Sequence, residues 1–284
     1  MNEFSVSGKN WVSKSYSSEK VNFLKDNFNL SEIISKLIAI RDIKIEDVNI
    51  FLKPKIKNFL PNPFILKDME KTVNRTVNAL ENNEKIGIFG DYDVDGATST
   101  ALLGNYFNKF NQNIEVYIPD RKSEGYGPNK KAFDKMILNG SKLIFTVDCG
   151  TMSYEAIEYA KKKHTDVIVL DHHQSELKLP NAFSVVNPNR FDDESRLNYL
   201  CAAGVCFMFL IALNKKLREL KWFNTKKVNE PNLLDYLDLV SLGTVCDVVP
   251  LVGLNRAIVS QGLELMKKKT NLGLKTLKNI CGID

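Results

Sequence analysis

Short apolar runs alternate with stretches of helical spacing over the middle of the chain. The runs are largely continuous and lie at residues 86–90, 114–118, 143–147, 167–170 and 183–186. A strand covered on both faces needs apolar side chains on both sides, so these runs predict strands of a parallel sheet. Helical stretches follow the first three runs at about 97–110, 129–139 and 152–163. The alternation predicts an α/β fold with a doubly wound, mainly parallel sheet.

Helical patterns flank this region on both sides. Before it, they lie at 33–40, 44–52 and 68–82; after it, they lie at about 201–217, 233–242 and 255–268. We therefore predict three parts: an N-terminal helical segment at 1–80, a sheet domain at 81–250 and a connecting helix within 251–284.

Acidic and imidazole side chains directly follow three of the predicted strands. Asp91, Asp93 and Asp95 come after the first strand, Asp148 follows the third, and the triplet 171–173 (Asp-His-His) follows the fourth. The loops at the carboxyl ends of parallel strands gather at one edge of the sheet, so these groups are expected to lie together. So many like charges need a cation between them, which predicts a divalent metal site.

The spacing suggests separate roles for the aspartates. A helix cap explains one aspartate alone, but three within five positions favour metal ligation. Asp93 and Asp95 are the preferred ligands, and Asp91 is expected in the second shell. Asp148 is the candidate bridge between two ions. Asp247 lies in the otherwise small or apolar stretch 241–250, where ligation competes with a cap or a salt bridge as the explanation.

The paired histidines complete the predicted centre. His172 is the expected imidazole ligand, and the neighbouring carboxylate of Asp171 is expected to orient it from the second shell. His173 is expected to touch the substrate phosphate or to complete the ligand set. Oxygen and nitrogen ligands without a thiolate suit Mn²⁺ or Mg²⁺ before zinc. Two such ions, about 3.5–4 Å apart, would serve an in-line displacement at phosphorus.

A basic loop follows the second strand at residues 119–127. Arg121 and Lys122 are candidate contacts to phosphate oxygens, and Tyr126 is a candidate for stacking on a base. Arg190, after the fifth strand, is a second cationic candidate. A basic loop of this kind is also common as an ordinary solvated surface.

The bulk composition adds little to this picture. Of the 284 residues, 44% are hydrophobic and 26% are charged, and the formal net charge is +5. An anionic partner and a lysine-rich composition explain that charge equally well. The five cysteines include no CxxC pair, which indicates reduced thiols. Because no signal region and no apolar run of ~20 residues are present, we expect a cytoplasmic protein without membrane spans.

The ordered motifs resemble the DHH phosphoesterase superfamily and, within it, the RecJ family of single-strand-specific exonucleases. They lie at 90–96, 147–150, 170–173, 186–190 and 241–251, and weaker likeness extends upstream through 41–54 and 63–69. The resemblance implies an Mn²⁺- or Mg²⁺-dependent enzyme that digests single-stranded DNA from 5′ to 3′ in recombination and repair. It assigns metal binding to Asp93, Asp95, Asp148, His172 and Asp247, and it places His173 with Asp148 at the catalytic centre.

RecJ-like proteins continue into a DHHA1 domain and an OB-fold, and this sequence contains neither pattern. We therefore expect a metal-bearing half that works with a separate DHHA1/OB-fold chain; a fragment or a gene remnant is the alternative. The apolar side of the helix at 255–268 is then expected to be exposed to a partner.

Two rival functions remain open from the sequence. One is a small-substrate phosphoesterase of the same superfamily that cleaves oligonucleotides or pyrophosphate, although the N-terminal segment and the aspartate-rich first motif argue against it. The other is a non-catalytic DNA-binding remnant, which would be expected to lose the ligands that this chain retains.

Overall fold

The computed structural model describes residues 5–268 and 271–282. The chain divides into two compact units, at residues 1–58 and 59–284. The smaller unit contains α1 (Ser18–Phe28), α2 (Glu32–Ile40) and α3 (Val48–Leu52), with single 3₁₀ turns at Ile45–Asp47 and Ile56–Asn58. Its core is formed by Leu24, Ile38 and Val48. Helix α1 was not predicted, because only Val21 and Leu24 of its eleven residues are buried.

Among its described residues, the larger unit is built on five parallel strands. They are β1 (Ile86–Gly90), β2 (Ile114–Tyr117), β3 (Leu143–Val147), β4 (Asp166–Leu170) and β5 (Ser184–Val186). Their order across the sheet is β2-β1-β3-β4-β5, with Ile86 opposite both Ile114 and Leu143. The predicted α/β fold with a parallel sheet is confirmed.

Helices cover both faces of this sheet. They are α4 (Met69–Glu81), α5 (Val94–Asn108), α6 (Lys130–Leu138), α7 (Tyr154–Lys162) and α8 (Ala202–Glu219). On one face α6 and α7 bury an apolar layer that includes Phe133, Ile144 and Val169. On the other face Phe107 of α5 and Phe209 of α8 pack against Phe145 of β3. Both faces of each central strand are therefore buried, as its continuous apolar run requires.

Helix α4 belongs to the larger unit, although the sequence assigned it to the N-terminal segment. Thr72 and Ser184 share a hydrogen bond of 2.7 Å between their hydroxyls, and Arg75 pairs with Asp166 at 2.6 Å and with Glu84 at 2.7 Å. These contacts tie α4 to the start of β4 and to β5. The structural division therefore lies at residue 58 rather than near residue 80.

The C-terminal part is helical. It contains α9 (Trp222–Lys226), a 3₁₀ turn at Leu233–Tyr236, α10 (Leu237–Cys246), α11 (Gly253–Lys268) and α12 (Leu272–Ile280). The expectation of an exposed apolar side on α11 is wrong. Ile258 and Val259 are buried, and Gly262 approaches α10 so closely that a Cβ atom would overlap Ser241. No helix in the described ranges combines the length and apolarity that a membrane span needs.

Candidate metal centre

Loops at the carboxyl edge of the sheet bring the acidic side chains together. Strands β1, β3 and β4 are neighbours, so the loops that follow them meet. The end of α10 adds Asp247 to the same place. Among the described residues, three groups have ligand atoms within 4.8 Å of one another: Asp91–Asp93–Asp148, Asp95–His172–Asp247 and Asp148–His172–His173. The structure therefore brings together all five predicted ligands.

Three carboxylates converge on one imidazole nitrogen. The Nε2 atom of His172 lies 3.3 Å from Oδ1 of Asp148, 3.6 Å from Oδ2 of Asp247 and 3.8 Å from Oδ2 of Asp95. Within the described chain, Nε2 of His172 and these atoms of Asp148 and Asp247 are buried without a hydrogen-bond partner. Buried polar atoms are normally paired, so this arrangement is one that a cation would complete.

Asp148 combines a left-handed backbone with a buried carboxyl group. It directly follows β3, its φ is +61°, and its side chain is almost fully buried with both oxygens unpaired in the described part of the chain. Burial, followed by the charges of Asp95 and Asp93, raises the pKa of Asp148 to about 11. Without a cation, burial and the neighbouring carboxylates favour the protonated form of this carboxyl, whereas a bound cation would favour the carboxylate.

Asp95 is anchored by the first turn of α8. Its two oxygens accept hydrogen bonds from the backbone N–H groups of Ala202 at 2.6 Å and Ala203 at 2.9 Å. Burial raises the pKa of Asp95 to about 6, and these amides oppose that rise only in part. Gly243 lets α10 approach this carboxylate, because a Cβ atom there would lie 2.6 Å from Asp95 Oδ1.

Asp93 both caps a helix and belongs to the cluster. Its Oδ1 accepts a hydrogen bond of 2.9 Å from the N–H of Gly96, which starts α5 three residues earlier than predicted. Its oxygens also lie in one group with those of Asp91 and Asp148. Asp91 is buried, one of its oxygens is unpaired within the described residues, and burial raises its pKa.

Asp171 orients His173 rather than His172. Its Oδ1 lies 2.7 Å from Nδ1 of His173, and its Oδ2 accepts the N–H of Thr151 at 3.0 Å. Burial alone would raise the pKa of Asp171, but the hydrogen bond and charge of His173 outweigh it and the pKa is lowered. The same hydrogen bond raises the pKa of His173. The expected orientation of His172 by Asp171 is therefore wrong.

Two asparagines after β5 support the histidine loop, and the sequence did not identify them. The side-chain amide of Asn187 donates to the carbonyl of His173 at 2.8 Å and to the hydroxyl of Thr151 at 2.9 Å. The amide of Asn189 donates to the carbonyl of His172. Both asparagines lie in the motif at 186–190, from which the sequence analysis selected only Arg190.

The basic loop reaches the centre through its tyrosine. The Tyr126 hydroxyl lies 3.2 Å from the carbonyl oxygen of Asp148 and 3.3 Å from Nδ1 of His173. The Arg121 guanidinium lies 5.1 Å from the ring centroid of Tyr92, the residue between Asp91 and Asp93 in the sequence. Lys122 is exposed. Arg121 is thus tied to the loop that carries the aspartates.

Arg190 has a structural role. Its guanidinium is buried, pairs with Asp68 at 2.9 Å and Asp192 at 2.6 Å, and donates to the carbonyl of Val185. These partners occupy its donor groups and tie the end of β5 to the start of α4. The expectation that Arg190 holds a substrate phosphate is not supported by this placement.

The donor set fits hard or borderline divalent ions. It combines carboxylate oxygens with an imidazole nitrogen and no thiolate, and such ligands suit Mn²⁺ and Mg²⁺. The unpaired oxygens of Asp148 and the unpaired nitrogen of His172 are the specific atoms that such ions would engage.

Comparison with known proteins identifies relatives of this arrangement. Residues 85–244 match the profile of the DHH family, N-terminal domain. The exonuclease RecJ of Bacillus subtilis is 34% identical over 275 residues, which is 96% of this chain but 33% of the relative. RecJ of Escherichia coli is 36% identical over 257 residues, 90% of this chain and 44% of the relative. The chain thus spans less than half the length of these relatives.

Solved structures show the same fold. A crystal structure of exonuclease RecJ bound to manganese is 32% identical, with a TM-score of 0.67, and the match covers 79% of this chain and 53% of that one. RecJ of Thermus thermophilus in complex with Mn²⁺ is 26% identical with a TM-score of 0.72, covering 94% of this chain and 36% of that one.

Proposed function

This chain belongs to the DHH family, and we propose that it is the metal-bearing part of a phosphodiesterase that hydrolyses single-stranded DNA from the 5′ end. The relatives that share its sequence over most of its length are single-strand-specific DNA exonucleases. The chain spans only part of those proteins, so we propose their activity for the larger protein region that this chain represents in them. We also propose a role in DNA recombination and repair, which the resemblance of the motifs to the RecJ family implies.

One observation carries the proposal. Oxygens of Asp148, Asp247 and Asp95 lie within 3.8 Å of a single nitrogen of His172. Among the described residues, that nitrogen, both oxygens of Asp148 and one oxygen of Asp247 are buried without a hydrogen-bond partner. A structural salt-bridge network would neutralise these carboxylates with arginine or lysine. A cluster arranged this way instead supports cation binding. Two-metal sites hydrolyse phosphodiesters with the help of such bound cations.

We assign the metal ligands to Asp93, Asp95, Asp148, His172 and Asp247, with Asp91 beside them. The ions would be Mn²⁺ or Mg²⁺, and two are expected because Asp148 lies in two of the ligand groups. When bound, such ions supply a water of lowered pKa and neutralise charge on the phosphate. His173, held by Asp171, is placed to hydrogen-bond a phosphate oxygen or the leaving oxygen.

Substrate contacts are proposed for the loop at 119–127. Arg121 and Lys122 are exposed and offer positive charge to the phosphate backbone. We propose that a separate chain with DHHA1 and OB-fold domains is the partner and supplies further contacts to the DNA. Arg190 is left out of this set because its donors are engaged.

The test is hydrolysis by the purified chain, with and without such a partner chain. Single-stranded DNA with a 5′ phosphate is incubated with Mn²⁺, and mononucleotide release is compared with duplex DNA, short oligonucleotides and pyrophosphate. We expect release from single strands that Asp148→Asn abolishes and that Asp26→Asn, an exposed aspartate in the smaller unit, leaves unchanged. Preference for oligonucleotides or pyrophosphate, or DNA binding without hydrolysis, would contradict the proposal.

A further inference from the structure

The Tyr126 hydroxyl contacts the centre at two points that belong to different strand-end loops. It lies 3.2 Å from the main-chain carbonyl of Asp148 after β3, and 3.3 Å and 3.5 Å from the two ring nitrogens of His173 after β4. The two rings meet edge to face, with centroids 5.8 Å apart. The phenol oxygen, rather than the ring face, is thus the part of Tyr126 that meets the metal cluster.

The hydrogen-bond chemistry of these contacts is constrained. A carbonyl oxygen only accepts, so the single proton of the Tyr126 hydroxyl is donated to Asp148. Nδ1 of His173 is already engaged with Asp171 at 2.7 Å. The tyrosine oxygen therefore packs beside an imidazole whose orientation the aspartate sets. The hydroxyl donates to the backbone of one proposed metal ligand and packs against the ring of the proposed catalytic histidine.

The local backbone is built to present this hydroxyl. Gly125 and Gly127, on either side of Tyr126, have φ values of +77° and +78°, which residues other than glycine rarely adopt. Upstream, one oxygen of Asp120 accepts the N–H groups of Lys122 and Ser123, which fixes a tight turn. Tyr126 thus follows an ordered turn and is flanked by two glycines with positive φ.

A second contact pins the same loop to the aspartate-bearing loop. Arg121 lies over the ring of Tyr92, which sits between Asp91 and Asp93 in the sequence. The loop at 119–127 therefore touches the loops after β1, β3 and β4. Its position is coupled to the position of the carboxylates.

We propose that Tyr126 is a positioning residue that acts through its hydroxyl, holding the Asp148 backbone and the His173 ring in the geometry that binds metal and substrate phosphate. The inference rests on the proposed function and deepens it. It assigns Tyr126 a role different from base stacking, for which the ring face rather than the hydroxyl would matter. The left-handed backbone of Asp148 is the feature that needs this support.

The two roles are separated by two substitutions at the same position. Tyr126→Phe keeps the ring and removes the hydroxyl, whereas Tyr126→Leu removes both. Tyr159→Phe is the matched control, because its hydroxyl bonds Asp134 between α6 and α7, outside the cluster. For each variant, Mn²⁺ affinity is measured by isothermal titration calorimetry, and kcat and KM are measured on single-stranded DNA.

We expect Tyr126→Phe to weaken Mn²⁺ binding by about two- to tenfold, the worth of one hydrogen bond, and to lower kcat more than it raises KM. Tyr126→Leu should show at least the same loss, and Tyr159→Phe should bind Mn²⁺ like the unmodified chain. Wild-type Mn²⁺ affinity and kcat in Tyr126→Phe, with a raised KM in Tyr126→Leu alone, would overturn the inference in favour of stacking. An unmodified chain that binds no Mn²⁺ would overturn the proposed function, and this inference with it.

Discussion

Oδ1 of Asp148 lies 3.3 Å from Nε2 of His172, and within the described chain neither atom has a hydrogen-bond partner. The two residues follow neighbouring strands, β3 and β4, so the sheet itself fixes their separation. A carboxylate and an imidazole at this distance would normally share a proton or a cation. The crowding by Asp95 and Asp247 favours the cation.

The first prediction concerns removal of this carboxylate. Asp148→Asn should weaken Mn²⁺ binding by at least about tenfold, because a charged ligand atom is replaced by an amide. In the presence of EDTA the same variant should unfold at a higher temperature than the unmodified chain, because one buried carboxyl is removed from an acidic cluster. Calorimetric Mn²⁺ titration and thermal unfolding in EDTA provide the two measurements. Equal Mn²⁺ affinity in both proteins would exclude Asp148 as a ligand.

The second prediction concerns the pH dependence of stability without metal. Burial raises the pKa of Asp148 to about 11, so the folded state holds this proton more tightly than the unfolded state. The resulting stability is complete below an ordinary aspartate pKa of about 4 and is lost as the pH rises toward about 11. Asp148→Asn cannot ionise, so its stability advantage in EDTA should grow between about pH 5 and about pH 8.

Urea unfolding of both proteins across this pH range measures that difference directly. Comparing the two proteins cancels the opposite contribution of Asp171, whose pKa is lowered. Saturating Mn²⁺ should reverse the ranking and make the unmodified chain the more stable protein, since Mn²⁺ binds the carboxylate form. An advantage that stays constant with pH would contradict the raised pKa of Asp148.

The third prediction uses two glycines inside helices. At Gly243 of α10 a Cβ atom would lie 2.6 Å from Asp95 Oδ1 and 2.6 Å from Thr98 Oγ1, whereas at Gly104 of α5 its nearest neighbour would be 3.8 Å away. Gly243→Ala should therefore cost about 1–3 kcal/mol of unfolding free energy and displace the Asp95 carboxylate. Gly104→Ala should be neutral or stabilising by up to about 1 kcal/mol.

Urea unfolding of these two variants reports the stability difference, and Mn²⁺ titration reports the effect on the ligand. Mn²⁺ affinity should fall in Gly243→Ala and stay unchanged in Gly104→Ala. If both alanines behave alike, the close approach of α10 to Asp95 does not position this carboxylate.

The fourth prediction concerns the residue after Asp247. Val248 has a φ of +60° and is 85% exposed, which is a costly backbone conformation for a β-branched residue with little packing to offset it. Val248→Gly should raise the unfolding free energy by about 0.5–1 kcal/mol. Val252→Gly, at an exposed valine without positive φ, should lower it by a similar amount because glycine gains entropy in the unfolded chain. Destabilisation by both substitutions would contradict strain at Val248.

The sequence predicted the sheet and the gathering of acidic groups for the same reason. The continuous apolar runs ending at Val147 and Leu170 are typical of buried parallel strands, and polar residues that follow such strands meet at one edge of the sheet. The proximity of Asp148 and His172 could therefore be predicted without coordinates. Asp247, at the end of α10, was also a recognisable candidate ligand, because it is the one charged residue in an otherwise small or apolar stretch.

The remaining details depend on contacts between distant residues, which a single sequence does not encode locally. From the sequence, Arg190 is a reasonable candidate for binding phosphate. In the structure its guanidinium donates to Asp68, which lies 122 positions away along the chain. Asp171 precedes both histidines, and only the loop geometry directs its carboxylate to His173. Helices α9 and α12 went unpredicted because α9 has five residues and none of the residues of α12 is buried.

Anomalous diffraction from crystals grown with Mn²⁺ tests the central claim most directly. Data collected at the manganese absorption edge should show anomalous density within bonding distance of both Asp148 and His172, with a second peak shared by Asp148 and the Asp91–Asp93 loop. Asp148→Asn crystals should lose or weaken these peaks. Density confined to other sites, or none near His172 at saturating Mn²⁺, would contradict the assignment of this cluster as a metal centre.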